Sequence, residues 1–373
     1  MTVPLSILDL APLVSGGTVA DALRRTLDLA TRAEEFGYHR YWVAEHHLTA
    51  GVASSQPAVL LGQIAAVTSR IRLGSGAVQT GYLTPLAVLE QFGLLDALYP
   101  GRFDLGLGRS AQRRSTDLAG PPPAPAPAEA RVVDGLLIPK HFDFTPLMKS
   151  ARAALFGKLL KQPNAEALDL DEVVDQVQTL IAGPYADGLG NEAHAVPGEN
   201  ADLELWVLGS SGGESARVAG ARGLPFAANY HVAPAKVLEA VEAYRAAFRP
   251  SKVLSAPHVM VSADIVVAED DETAQQLAIP YGLWVRSIRN GTGAIPYPSI
   301  GEAAAHEWTD EDRALVADRL DTHFVGSARR VAGQLETLRR VTGADELLVT
   351  TITHDHSDRV RSFELLAAEW HRA

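Results

Sequence analysis

Residues 6–47 read SILDLAPLVSGGTVADALRRTLDLATRAEEFGYHRYWVAEHH and set out one complete strand–helix–strand unit. Ser6 to Leu10 is a short apolar strand. Thr18-Val-Ala-Asp21 supplies a capping box, in which the Thr18 hydroxyl accepts from an early helix N–H. Val19, Leu23, Leu27, Ala30 and Ala33 then recur at helical spacing, and Gly37 stops the helix as a left-handed cap. The next strand, Tyr41 to Ala44, runs directly into Glu45-His46-His47. Connections this short between strands fit right-handed parallel crossovers.

The unit repeats. A helix from about Pro57 to Val67 leads into strand Ile71 to Gly76, and another from about Pro85 to Leu98 ends at Pro100-Gly101 before strand Phe103 to Leu107. The alternation then breaks at Pro121-Pro-Pro-Ala-Pro-Ala-Pro127, a stiff extended stretch, and helical segments around Pro146–Leu160 and Leu170–Ile181 follow. It resumes with strands Leu203 to Leu208, Phe226 to Asn229, Val259 to Val267 and Glu346 to Thr351. Helices are expected from about Gly213 to Arg222, Pro234 to Phe248, Asp271 to Thr342 (one long helical region) and onward to Trp370. Four strands before the break and four after it are what a closed (β/α)8 TIM barrel requires. An open doubly wound sheet is the competing architecture. The expected organisation is a single barrel domain over 1–373, with 111–202 an insertion or lid after strand 4.

Composition narrows the function. The 373 residues include 33 basic and 45 acidic side chains, a formal net charge of −12, which argues against a phosphate-backbone partner such as nucleic acid. With no Cys there is no disulfide, no thiolate metal site and no Cys nucleophile. The N-terminus lacks a basic n-region and an apolar h-region, and no apolar run is long enough for a membrane helix, so a soluble cytoplasmic protein is expected.

In a barrel, chemistry belongs at the C-terminal ends of the strands. Those positions carry Asp9, Glu45-His46-His47, Gly76-Ala-Val-Gln79-Thr80, Gly108-Arg109-Ser110, Gly209-Ser-Ser-Gly-Gly213, Asn229-Tyr-His231 and His354-Asp-His356. Gly209-Ser210-Ser211-Gly212-Gly213-Glu-Ser215 follows a strand and opens a helix, so free N–H groups, hydroxyls and the helix dipole can cradle a phosphate there. Arg109 can add a guanidinium. The same stretch also fits G-x-S-x-G, with Ser211 as an esterase nucleophile and His354 or His356 completing the order Ser, Asp, His. Two imidazoles and a carboxylate suffice for a metal, but adjacent His46 and His47 point opposite ways on a strand, and no metal is expected.

Tyr41-Trp-Val-Ala-Glu-His-His47, Gly101-Arg-Phe-Asp-Leu-Gly-Leu-Gly-Arg109, Leu208-Gly-Ser-Ser211 with Arg222-Gly-Leu-Pro225, and Gly343-Ala-Asp-Glu-Leu347 onward to His356 together resemble the bacterial luciferase-like family of flavin-dependent oxidoreductases. The likeness covers 1–110 and about 203–373. It implies a (β/α)8 barrel that binds FMN, or in some members the deazaflavin F420, at the strand C-termini, usually as a homodimer packed through early helices. By position, Arg109, Ser210, Ser211, Gly212 and Ser215 resemble the flavin phosphate site, and His46 the catalytic histidine, with Glu45 beside it. Gly76-Ala77 falls where the family often has a non-prolyl cis peptide under the flavin ring. Luciferase itself has a Cys at the place of Gly108 and an acidic residue at the place of Gly209, departures that argue against light emission.

The resemblance implies a reduced-flavin (FMNH2)-dependent monooxygenase, using O2 and fed by a separate NAD(P)H:flavin reductase, because the chain has no nicotinamide fingerprint. Hydroxylation or epoxidation of an organic substrate such as a secondary metabolite is compatible with it. The alternatives are F420-dependent hydride transfer on the same fold, a non-catalytic flavin-binding protein, and a Ser211 esterase.

Overall fold

The computed structural model describes residues 3–109, 129–160 and 168–372. Pro121 to Pro127, Ser110 and the rest of 110–128 lie outside the described residues.

Eight strands form the core: β1 (Leu5–Asp9), β2 (Arg40–Val43), β3 (Arg72–Ser75), β4 (Phe103–Gly108), β5 (Glu204–Gly209), β6 (Phe226–Asn229), β7 (Val259–Ala268) and β8 (Glu346–Thr350). Each lies parallel to the next, and β8 returns to β1 with Leu5 opposite Leu347, so the barrel is closed. β4 and β5 pair directly, Asp104 opposite Glu204, despite the long chain between them. This excludes the open doubly wound sheet.

Side-chain alternation divides the strands between two cores. Leu8, Trp42, Trp206, Leu208, Met260 and Leu348 point into the barrel, with the Trp42 and Trp206 rings edge to face at 5.2 Å. Their neighbours Ile7, Tyr41, Val207, Val261 and Val349 point outward against the helices. The outer ring comprises α1 (Val19–Glu35), α2 (Pro57–Val67), α3 (Pro85–Leu98), α4 (Leu170–Ala182), α5 (Glu214–Ala221), α6 (Val237–Ala247), α7 (Ala328–Thr342) and α8 (His356–Trp370).

The α1 capping box forms as the sequence implies, with Thr18 Oγ1 accepting from the Asp21 N–H and the Asp21 carboxylate accepting from the Thr18 N–H. The buried stripe is Ala22, Thr26, Leu29, Ala30 and Ala33, whereas Leu23 and Leu27 are half-buried and Val19 is exposed. One reason for the shift is Thr26, whose hydroxyl donates to the fully buried Asp9 at 2.7 Å. Tyr41 and Arg359 also donate to Asp9, so this strand-end carboxylate ties α1, β2 and α8 together.

Two stretches depart from the sequence reading. Residues 111–202, expected to form one insertion, include α4, which fills the fourth helix position between α3 and α5. Its Asp169–Glu172 capping box and buried Leu170, Val173, Val174, Val177 and Leu180 mark it as an ordinary barrel helix. The region Asp271 to Thr342, expected to be helical throughout, contains a strand, Phe324–Ser327, that pairs with the far half of β7 (Ile265 opposite Phe324). Four residues ending in Gly-Ser are too short to show a strand period. Residues 131–138 form a hairpin on the outside of α7, and the chain from Phe142 to Arg152 reaches the C-terminal end of the barrel. Leu137 O accepts from Tyr230 at 2.7 Å, Asp134 O from Arg340 at 2.7 Å, and Arg152 donates to Leu48 O at 3.0 Å. No helix among the described residues is long and apolar enough to cross a membrane.

The opposite, N-terminal end of the barrel is closed by charge. Arg40 is 5% exposed and donates to Asp104 at 2.8 Å, to Glu346 at 3.1 Å and to Glu204 at 3.1 Å. Burial works against the Arg40 charge, but these carboxylates outweigh it and hold its pKa above the ordinary value. The Asp104 carboxyl is nevertheless raised by its complete burial, against the pull of Arg40 and Arg72. Arg40→Met is therefore expected to lower unfolding free energy by about 3–5 kcal/mol, because it strands buried carboxylates without their cation. A group whose folded pKa is raised loses stability as pH rises through that pKa. The deficit should thus be largest at neutral pH and shrink on acidification, which urea unfolding of both proteins across pH would measure.

Candidate active site

The strand C-termini surround a cavity of about 450 Å³. Its walls separate into a ring-shaped apolar slot, a cradle of small polar residues and a far wall from the excursion after β7.

The slot lies between Leu8, Leu208 and Ile352 and the chain leaving β3, where the Gly76–Ala77 peptide is cis. Close approach fixes the residue at Gly108: a Cβ there would stand 2.9 Å from the Ala77 Cβ. The cysteine of luciferase therefore has no room at this position unless the β3 exit moves.

Glu45, His46 and His47 divide their roles by alternation. Glu45 is buried and receives the Gln79 N–H at 2.9 Å and His47 Nε2 at 2.7 Å, while Gln79 Nε2 donates to the Glu45 carbonyl at 2.8 Å. Burial raises the Glu45 pKa even though His47 and Gln79 favour the ionised form. His46 points the other way. The residue is exposed where it lines the cavity mouth, with protein packed around its ring, and the ring makes no hydrogen bond to a described residue. That enclosure, with the nearby His47, lowers its pKa to about 4, so the imidazole is neutral at physiological pH.

A second neutral imidazole, His231 at the end of β6, shares a hydrogen bond with the Ser262 hydroxyl. Burial lowers its pKa to about 4 as well, although Asp264 pulls the other way. Asp264 stays ionised. Burial pushes its pKa up, but Arg319, at 2.8 Å, the nearby histidines and Tyr281 bring it below the ordinary value.

The cradle is the β5–α5 turn. Gly209 is required here because a Cβ would stand 2.8 Å from Ser215 Cβ. Gly213 occupies the N-cap of α5 and has no side chain to cap it, so the first-turn N–H groups lack a side-chain acceptor. The hydroxyls of Ser210, Ser211 and Ser215 line the cavity without a hydrogen-bond partner among the described residues. Arg109, leaving β4, donates to Glu214 at 2.9 Å, and the other Glu214 oxygen accepts from Leu170 N–H at 3.0 Å.

Of the residues singled out from sequence, Glu45, His46, Gly76, Ala77, Arg109, Ser210, Ser211 and Ser215 line this one cavity. Gly212 sits just behind it, its N–H donated to Glu239 at 3.2 Å. His354 and His356 are elsewhere, against Ser15 and Asp28, so neither serves Ser211 and the expected Ser–Asp–His arrangement is not assembled among the described residues. Sequence reasoning missed Glu214, Asp264, Trp284, Arg289 and Arg319, all of which line the cavity. Asp264 was hidden in the apolar run of β7, and the arginines in a stretch that carried no motif. Gln79 and His231 stood among the strand-end residues but had no role attached.

The family model for luciferase-like monooxygenases matches residues 5–132 and 150–346. The chain is 39% identical over 366 residues to the protein YvbT of Bacillus subtilis (strain 168), covering 98% of this chain and 96% of that one. It is 35% identical over 365 residues to a luciferase-like monooxygenase of Escherichia coli (strain K12), covering 98% and 96%. The crystal structure of apo-MsnO8 superposes with a TM-score of 0.79 at 31% identity, over 100% of this chain and 99% of that one. The closed parallel barrel, the cavity at its strand C-termini and these likenesses place the chain in the luciferase-like monooxygenase family, as an oxidoreductase.

Proposed function

We propose that the cavity binds reduced FMN together with an organic substrate, and that the protein transfers one oxygen atom from O2 to that substrate. The reading places the flavin's reduction on a separate NAD(P)H:flavin reductase. The observation that carries it is the uncapped α5 N-terminus with three serine hydroxyls unpartnered among the described residues, opening into the same cavity as the neutral His46. Helix N-terminal N–H groups and hydroxyls suit a phosphate, and the apolar slot beside Gly76–Ala77 suits a flat ring. The residues fit the group: Ser210, Ser211, Ser215 and the N-terminus of α5 would hold the phosphate, with Arg109 beside it.

Reduced FMN, when bound, supplies the two electrons that activate O2. The protein orients, excludes water and manages protons. Neutral His46 has a ring nitrogen free to accept a proton inside the cavity, and Glu45 positions the chain around it through Gln79 and His47. Leu8, Leu208, Trp284 and Ile352 keep the walls apolar, which keeps water from the reacting atoms. In this reading the chain around Phe142 to Arg152, within the 111–202 region, covers the mouth. The substrate is an organic molecule that accepts hydroxylation or epoxidation.

Anaerobic titration with FMNH2, F420H2 and reduced riboflavin tests the assignment. Tight FMNH2 binding is expected, with affinity falling about tenfold in Arg109→Ala while riboflavin, which has no phosphate, is unaffected. Preference for F420H2 would move the chemistry to hydride transfer, and binding of none of the three would remove the flavin reading.

His46→Ala is expected to lower turnover roughly a hundredfold with FMNH2 affinity unchanged. Since burial lowers the His46 pKa to about 4, the imidazole base is protonated, and lost, only as pH falls through that value. The wild-type rate should be flat through neutrality and decline on the acid side. Turnover unchanged in the variant would take His46 out of the chemistry.

The family expectation of a homodimer has support on α2 and α3. In α2, PAVLLGQIAAV, Gln63 is the only polar side chain, yet Val59 is 69% exposed, and on α3 Leu94 and Leu98 are exposed, Leu98 by 70%. A helix apolar all round is covered on all sides in its native state. Light scattering is expected to report a dimer for the wild type and a monomer for the double variant Leu94→Glu, Leu98→Glu.

A further inference from the structure

The far wall of the cavity carries a charge that the flavin reading does not use. Arg289 ends the helix Asp271–Arg289, lines the cavity and is only 3% exposed. Its Nη2 donates to Asp318 at 2.9 Å. Its Nη1 is buried and has no partner among the described residues. Two aromatic rings flank the guanidinium, Phe142 with its centroid 3.5 Å away and Phe144 at 5.1 Å. On the same wall the indole N–H of Trp284 is also buried and unpartnered. A buried cationic N–H without an acceptor is unfavourable, so an acceptor brought to that nitrogen would be bound with gain.

We propose that Arg289 anchors a carboxylate of the organic substrate, so that this oxygenase acts on acids, or on molecules carrying an acid group, with an apolar or aromatic body. The inference rests on the oxygenation reading, which gives the β4–β5 side of the cavity to the flavin phosphate and leaves this wall to the substrate.

The neighbouring charges specify the anion. Arg319, the other cation of this wall, is closed on Asp264 at 2.8 Å and on Tyr281 at 2.7 Å. Asp318 already balances part of the Arg289 charge. One open guanidinium nitrogen, its charge already shared with Asp318, suits a planar, singly charged carboxylate better than a doubly charged phosphate. Phe144, Trp284 and Ile288 then receive the apolar body.

Calorimetric titration of the full-length protein, with and without saturating FMN, tests this with benzoate against benzamide and octanoate against octanamide. The acids are expected to bind about tenfold tighter than the amides, the difference a charge-assisted hydrogen bond supplies. FMN should not compete with them. Arg289→Gln should abolish the preference and leave FMN affinity unchanged, and Arg289→Lys should keep part of it. Equal binding of acid and amide to the wild type, or binding of neither, overturns the proposal, and so does a preference that survives in Arg289→Gln. Acids displaced by FMN would assign the anion to the serine cradle and also overturn it. Should Arg289→Gln fail to fold, the wild-type preference and the FMN competition decide. If FMNH2 fails to bind anaerobically while the acid preference depends on Arg289, the flavin reading falls and the carboxylate site stands.

Discussion

The structure depends on one buried cation. Arg40 enters the barrel at the start of β2 and reaches across the interior to carboxylates on β4, β5 and β8, while the indole N–H groups of Trp42 and Trp206 donate to Asp104 and Glu204. A guanidinium has enough donors in a rigid fork to serve several carboxylates at once, and a lysine in its place would not. The consequence is mechanical. β4 and β5 are separated by a long stretch of chain, yet Asp104 and Glu204 are held opposite each other and share Arg40 as a ligand. With one end of the barrel closed by this cluster and the middle filled by tryptophans, the cavity that gathers the strand-end residues opens at the strand C-termini.

The two ends thus contrast in how polar groups are satisfied. At the N-terminal end Arg40, Asp104, Glu204 and Glu346 find partners within the protein, and His258 Nε2 beside them is left open. At the C-terminal end the serine hydroxyls of the α5 turn, the His46 ring, Arg289 Nη1, Trp284 Nε1 and Thr350 Oγ1 lack them among the described residues. Native proteins rarely leave buried polar groups open, and those they do leave open concentrate where something else is meant to bind. Bonding capacity missing from one cavity on several different elements is stronger ground for a bound ligand than any single motif.

The barrel was readable from sequence because its strands are short, apolar and separated by helices with clear stops such as Gly37 and Pro100-Gly101. All eight strands lie where the pattern puts them. What periodicity could not show was which chain segments form the ring. α4 looks like part of an insertion because a Pro-rich stretch precedes it, and only packing against α3 and α5 gives it a barrel position. The site was readable in proportion to its nearness to strand ends. His46, Arg109 and the Gly-Ser turn sit there. Arg289 and Arg319 come from the excursion after β7, where one arginine in a helical stretch looks like any other solvated charge until the fold buries it. Asp9 shows the opposite error: a strand-end carboxylate suggests chemistry, but its oxygens are taken by Thr26, Tyr41, Arg359 and Ala11 N–H.

Neutrality is what the active end has been arranged to provide. His46 and His231 are both held to a pKa of about 4 by burial, Glu45 is shifted toward its protonated form, and Asp264 is matched by Arg319. A charged imidazole in the slot would attract water and raise the local polarity around any reacting oxygen species. A neutral one accepts a proton without bringing a counterion with it. The same reasoning explains why the polar capacity is placed at the two ends of the cavity, the α5 turn on one side and Arg289 on the other. Charge is admitted where a ligand can be gripped and excluded from the slot between, so binding and chemistry make opposite electrostatic demands that this barrel meets by separating them in space.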